Sequence, residues 1–249
     1  MRFLLALVLF LPGMVFAQSA GQNIGQSLIS ENDVSLRYAG SLSNLAVGDP
    51  VVFGGVIQTG DNSANVDRFL DDSRLTIAPN STVDVDRFVY QEASSSGEVA
   101  VGLIKGALRF VSGRMPSQSY KLNTRYAVLG TRGTRFVLTH NDSDGTTVIV
   151  EEGAVDFSNG RGANVEVGVG QFSRIDRLGG EPSEPADIGS AEAAAVANVN
   201  TAVAISAPPS VSMPGVVGDL SANAAAASAA SASAAATSSS EDFGGDGRY

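Results

Sequence analysis

Three sets of residues in this 249-residue chain have types and spacing that could do chemistry. Asn141-Asp142-Ser143-Asp144-Gly145 is oxygen-rich, as a calcium loop is. A loop of the EF-hand kind needs a bidentate Glu at its twelfth position. Counted from Asp142 that position is Gly153, which has no side chain, so the segment reads as a turn between two apolar strands. Asp84 and Asp86 point the same way from one expected strand, as an acid–base pair would. They alternate with Val83 and Val85, and an exposed wet face accounts for that pattern. His140 is the only histidine. No nucleophile elbow accompanies it, and one histidine cannot make a three-histidine metal site. The chain has no cysteine, which removes thiolate metal sites, cysteine catalysis and disulfides. The residues thus point away from an enzyme, and no cofactor or metal is expected.

A fourth pattern is electrostatic. Lys105, Arg109, Arg114, Lys121, Arg125, Arg132 and Arg135 fall in a stretch that contains no Asp or Glu, although the chain carries 26 acids against 16 Lys and Arg. One reading is a basic face that docks an acidic partner and speeds association. The other is a set of outward positions paired with acids on neighbouring strands, such as Glu151 or Glu152. Arg132, between Gly130 and Gly133, reads as a donor to carbonyls that a sharp corner leaves unpaired.

The elements that must position these residues are strands. From Ala46 to about Asp176, short runs of Val, Ile, Leu and Phe alternate with polar residues and are punctuated by Gly, Asn, Asp and Pro. Arg68 interrupts the alternation between Val66 and Leu70 and is expected at a strand margin or exposed. Tyr126–Leu129 and Thr134–His140 are expected as two strands joined by a corner at Gly130 and Gly133. Residues 18–45 read as a polar leader with one strand at Val34–Tyr38. After Leu178 comes a linker, then an Ala-rich stretch, Ala186–Val203, that could form a helix whose apolar residues are too small to dock strongly. The Ala/Ser tract at 221–240 cannot bury enough surface to offset its ordering entropy, so residues 179–249 are expected as linker and largely disordered tail.

The first residues set the compartment. An uncharged run from Phe3 to Leu11 is followed by Pro12-Gly13 and Val15-Phe16-Ala17. This is the pattern of a secretory signal peptide over residues 1–17, cleaved after Ala17. The run is shorter than the ~20 residues that cross a bilayer. The mature chain is expected in the periplasm or secreted, with no transmembrane segment. Losing Arg2 takes its formal charge from −10 to −11, which argues against nucleic acid as a partner.

Several scattered motifs resemble the FecR domain family over roughly residues 46–176. They are Val47-Gly48-Asp49, Ile57-Gln58-Thr59-Gly60, Asp71-Asp72-Ser73-Arg74-Leu75-Thr76-Ile77 and Lys105-Gly106-Ala107-Leu108-Arg109-Phe110. Tyr126 to Phe136, Val150-Glu151-Glu152-Gly153-Ala154-Val155 and Val169-Gly170-Gln171 complete them. In this resemblance Gly130, Gly133, Thr134, Phe136, Gly153 and Gly170 are structural residues. Asp72 stands where the family often has Gly, and Asp tolerates a left-handed turn. The resemblance implies an all-β fold, expected as a β-solenoid-like stack of short strands, with a compact β-sandwich as the alternative. It also implies a protein partner in the cell envelope. Sensors of this family relay the occupancy of an outer-membrane transporter to a cytoplasmic sigma factor. The chain is expected to depart from that plan, without an anti-sigma segment before the membrane and without a retained membrane helix. A binding module is therefore expected, and a structural envelope protein with a β head and Ala/Ser spacer is the alternative.

Overall fold

The computed structural model describes residues 21–205, apart from the side chains of Arg87, Arg132 and residues 201–205. The expected signal peptide and the Ala/Ser-rich tract lie outside the described residues. Among those described are fifteen strands and one α-helix. The strands are β1 Asn23–Glu31, β2 Val34–Tyr38, β3 Ser41–Asn44, β4 Pro50–Val52, β5 Val56–Thr59, β6 Ala64–Phe69, β7 Arg74–Ile77, β8 Thr82–Gln91, β9 Ser96–Val111, β10 Tyr120–Asn123, β11 Val128–Asn141, β12 Gly145–Ser158, β13 Asn164–Val167, β14 Gln171–Ile175 and β15 Ala186–Asp187; the helix is α1 Ser190–Ile205.

Two layers emerge from the pairing. The first runs β3-β2-β5-β8, then the first half of β9, β10, the start of β11, the end of β12, and β13. The second runs β4-β1-β6-β7, then the end of β9, the end of β11, the start of β12, β14 and β15. Three long strands thus belong to both layers. Each changes layer at a glycine with positive φ: Gly106 (96°), Gly133 (62°) and Gly153 (75°). A side chain is strained at such angles, and at Gly106 a Cβ would also stand 2.2 Å from Ser81 Oγ.

Period-two burial follows from this layout. Leu108 and Phe110 of β9, Phe136 and Leu138 of β11, and Val148 and Val150 of β12 face a core shared with Val83, Val101, Leu129 and Phe157 of the first layer. Stacked coils would pair their strands in parallel. Among the described residues only β9 and β10 do so, and every other pairing is antiparallel. The solenoid expectation therefore finds no support, and the pairing is that of two packed layers.

Four local expectations change. The corner motif is one bent strand, β11, and its bend is at Gly133; Gly130 lies in regular strand opposite Lys121 and Asp156. Residues 23–44 are part of the fold, because Ile24, Val34 and Leu36 sit in the main core. In β6 the inward positions are Asn65, Asp67 and Phe69, with Asn65 opposite Ile77 and Asp67 opposite Leu75, so Val66, itself buried, lies on the outer face of the layer. Arg68 is exposed, as expected, but it continues that outward phase. Helix α1 docks on the outside of the second layer: Val199 is fully buried against a cluster of Ala78, Ala107, Val137 and Ile149, with Ala195, Val196 and Phe172 beside it. Small side chains on both sides let the backbones approach, which a size-based reading of the helix misses.

Candidate partner-binding surface

The cations of the sequence pattern do not form one face. Arg109 projects from β9 on the outside of the second layer, whereas Lys121 projects from β10 on the outside of the first. Five of them meet acids. Arg109 grips Glu151 with two hydrogen bonds of 2.8 Å, and its Nη1 donates to Asn200 Oδ1 at 2.6 Å. This fork-to-carboxylate pair is largely shielded and ties the helix to the sheet. Arg114 pairs with Asp72 at 2.9 Å, Lys121 with Glu98 at 3.2 Å, Arg125 with Asp142 at 2.9 Å and Arg135 with Glu152 at 3.1 Å. Lys105 is exposed beside Thr82, and the Arg132 side chain lies outside the described residues. Glu151 and Glu152, the acids that the sequence suggested, serve Arg109 and Arg135, while the other three cations meet Asp72, Glu98 and Asp142.

Of the structural motif residues, Gly133, Thr134 and Phe136 lie at the bend of β11 and Gly153 at that of β12. Thr134 N–H donates to Ser112 Oγ at 3.0 Å, and the Thr134 carbonyl accepts from Ser112 N–H at 3.0 Å. Phe136 is fully buried, with its ring 6.0 Å from Phe110, which in turn lies 5.5 Å from Tyr120. Gly170 forms the turn before β14, where its N–H donates to Val150 O. Asp72 adopts φ 67°, the left-handed turn that the sequence allowed for.

Next to that turn, Asp71 and Tyr120 form a buried clamp. Asp71 Oδ2 accepts from the Tyr120 hydroxyl at 2.6 Å, and Oδ1 accepts from the Ser73 hydroxyl and N–H at 2.6 and 3.2 Å. The Tyr120 oxygen also accepts from the N–H groups of Gly113 and Met115. Burial and then the adjacent Asp71 push the phenol's pKa up, so it stays a donor.

Three other ionisable groups have unusual surroundings. Asp67 is fully buried, and burial pushes its pKa up to about 7. Asn65 and Ser27 lie alongside and partly offset that burial, yet neither carboxylate oxygen reaches a hydrogen-bond partner. Nothing in the sequence pattern around β6 marked it. Asp84 is half-buried, because Gly102 has no Cβ to hold its carboxylate away; burial and neighbouring Asp86 raise its pKa to about 6. A wholly wet face does not describe it. His140 is buried in β11, where Nδ1 lies 2.9 Å from Thr146 Oγ1 and 3.2 Å from the Gly145 carbonyl, and burial lowers its pKa. The Asn141 loop closes on itself, with Asn141 Oδ1 accepting from Ser143 Oγ and Asp144 N–H. Among the described residues no group of three or more His, Cys, Asp or Glu is placed to hold a metal.

The margins of the layers offer a different kind of surface. The first layer ends at β3 and β13, the second at β4 and β15. All of β3 is exposed, and Leu42 is 63% exposed. Between β3 and β4 runs a groove of about 490 Å³ lined by Leu36, Tyr38, Ser43, Leu45, Asp49 and Val52, among others.

Residues 55–156 match the family described as FecR protein. No curated protein matches. The chain is similar to two crystal structures, at 2.50 and 1.65 Å resolution, of a candidate anti-sigma factor from Parabacteroides distasonis ATCC 8503. In each the identity is 14% and the TM-score 0.44, and the match covers 56% of this chain and 62% of that one. The chain thus spans less than two thirds of that protein.

Proposed function

We propose that the mature chain is a non-enzymatic, FecR-like module, periplasmic or secreted, that binds a protein partner and takes part in envelope signalling or regulation. The observation that supports it is the match of residues 55–156 to the FecR family, which is regulatory and associated with the envelope. The form of the molecule suits the role: two layers with a closed core present long strand faces and margins for contact. The acidic charge of −10 disfavours nucleic acid. No described helix is long and apolar enough to cross a membrane. Contact through Lys105, Lys121, Arg125 or Arg135 would require each paired cation to exchange its own acid for one on the partner. Such an exchange adds little net affinity at a rim and acts mainly on the association rate.

In-cell crosslinking of the full-length protein, combined with transcript profiling of a strain lacking it, tests this reading. One dominant envelope protein in the crosslinks and a focused set of altered transcripts are expected. A diffuse crosslink background with an unaltered transcript profile would overturn it.

A further inference from the structure

The four layer margins are not protected equally. Exposed strand edges invite pairing with other chains, and folded proteins guard them with charge, proline or distortion. Strand β13 carries Glu166; β15 carries Asp187 and begins directly after Pro185; β4 opens with Pro50 directly after Asp49. Strand β3, Ser41-Leu42-Ser43-Asn44, carries neither a charge nor a proline, although all four residues are exposed. It is also held in regular pairing rather than twisted away. Ala39 and Gly40, at φ 48° and 82°, make the two-residue turn that sets β3 in register with β2.

The phase of the ladder shows which groups are presented. Leu45 N–H donates to the Val34 carbonyl at 2.9 Å. Hydrogen-bonded pairs alternate along an antiparallel ladder, so Leu36–Ser43 and Tyr38–Ser41 are bonded pairs. The N–H and C=O of Leu42 and Asn44 therefore point away from β2, toward the open margin. On the inward side, Ser41 and Ser43 share the face of core residue Leu36 and line the groove with Tyr38, Leu45, Pro50 and Val52. An incoming strand would meet backbone partners at Leu42 and Asn44, and its alternate side chains would enter an apolar groove.

We propose that the β3 margin is a docking edge for an extended segment of another protein, apolar at alternate positions and carrying Lys or Arg. This deepens the partner-binding reading above and rests on it. The cationic character follows from complementarity: among the described residues, Asp49 is the only ionisable side chain lining the groove apart from the Tyr38 phenol, and the whole chain is acidic. The same charge opposes a second copy at this edge. A four-residue edge also gives two copies far less than the ~1,200 Å² of a stable interface. Strand addition gives affinity through the backbone and specificity through alternate side-chain pockets.

The probe is an end-capped Lys-Val-Thr-Val-Thr-Val-Lys peptide, with its Glu-for-Lys counterpart, followed by amide NMR on the mature chain. The expected result is saturable movement of the Leu42 and Asn44 signals with the Lys peptide, and at least tenfold weaker binding of the Glu peptide. Leu42→Pro removes one outward N–H and no ladder bond, so the fold is retained and binding falls at least tenfold. Leu42→Lys, at an exposed site, gives the same loss if the proline variant fails to fold. Absence of movement at Leu42 and Asn44, or equal binding by the variants, would overturn the docking edge. The Leu42 variants separate this proposal from the broader reading: a crosslinked partner that persists in them leaves partner binding standing and removes the edge.

Discussion

Asp67 and Asp71 are both 0% exposed, yet their surroundings differ in kind. Asp71 spends both oxygens: one on the Tyr120 hydroxyl, the other on Ser73. Its region joins the turn before β7 to the loop after β9, where Gly113 passes so close that a Cβ would stand 2.3 Å from the Asp71 carbonyl. Asp67 faces the core from β6 with neither oxygen bonded, beside an Asn65 amide nitrogen that is also without a partner. Near it, the β1–β6 register slips between Ser27 and Ile29. Burial alone does not make a carboxylate a structural tie. A satisfied network fixes two segments together, whereas an unsatisfied group makes its layer sensitive to protonation.

The largest effect concerns pH. The folded state holds Asp67 at about 7, above the ordinary value of 3.8. Its protonated form is the one that folding favours. The stability contribution is therefore fully present below pH 4, declines as pH rises toward 7, and is flat above that. A shift of this size corresponds to about 4 kcal/mol. Urea titrations of the wild-type chain and Asp67→Asn across that range should show the variant gaining by about this amount on the alkaline side. A difference independent of pH would break the contrast with Asp71.

Tyr120→Phe should come next. It leaves Asp71 Oδ2 and the N–H groups of Gly113 and Met115 without a buried partner, and should cost about 2–3 kcal/mol in denaturant unfolding. A loss below about 0.5 kcal/mol would mean that the clamp holds nothing. Arg109→Ala probes the largely shielded pair on the second layer. It removes the bidentate contact to Glu151 and the bond to Asn200, with an expected loss of about 1 kcal/mol and faster protease cleavage within α1. Unchanged cleavage would show that the helix is held by Val199 and its neighbours alone. The smallest effect belongs to Lys121→Ala, whose ion pair with Glu98 is well exposed. Thermal unfolding should move by no more than about 0.5 kcal/mol equivalent.

Much of the fold was legible in the chain because it is local. Alternation announces strands, and the Asn141 and Asp72 turns follow from side chains that tolerate or bond tight backbone. The FecR motifs were readable as an ordered series. The layer change at Gly106, Gly133 and Gly153 was partly visible as glycines, but not as bends, since a bent strand and two joined strands share one pattern. The β6 phase was misread because Val66 and Leu70 are the apolar pair in sequence, while the core side of that strand takes Asn65, Asp67 and Phe69. The margin at β3 left no mark, since it consists of what four ordinary residues lack.

The amino-acid order by itself determined that this protein is built of short strands and turns, carries no thiol chemistry, is acidic, and bears the FecR motifs. Those properties belong to neighbours in the chain and to side-chain type. Tertiary structure alone decided which carboxylate is bonded and which is stranded, which cation grips Glu151, and that an Ala-rich helix has a seat. It also decided which strand edge stays open. Each of these depends on residues far apart in sequence meeting across two layers, where burial and hydrogen-bond geometry are set by the partner and not by the chain's local pattern.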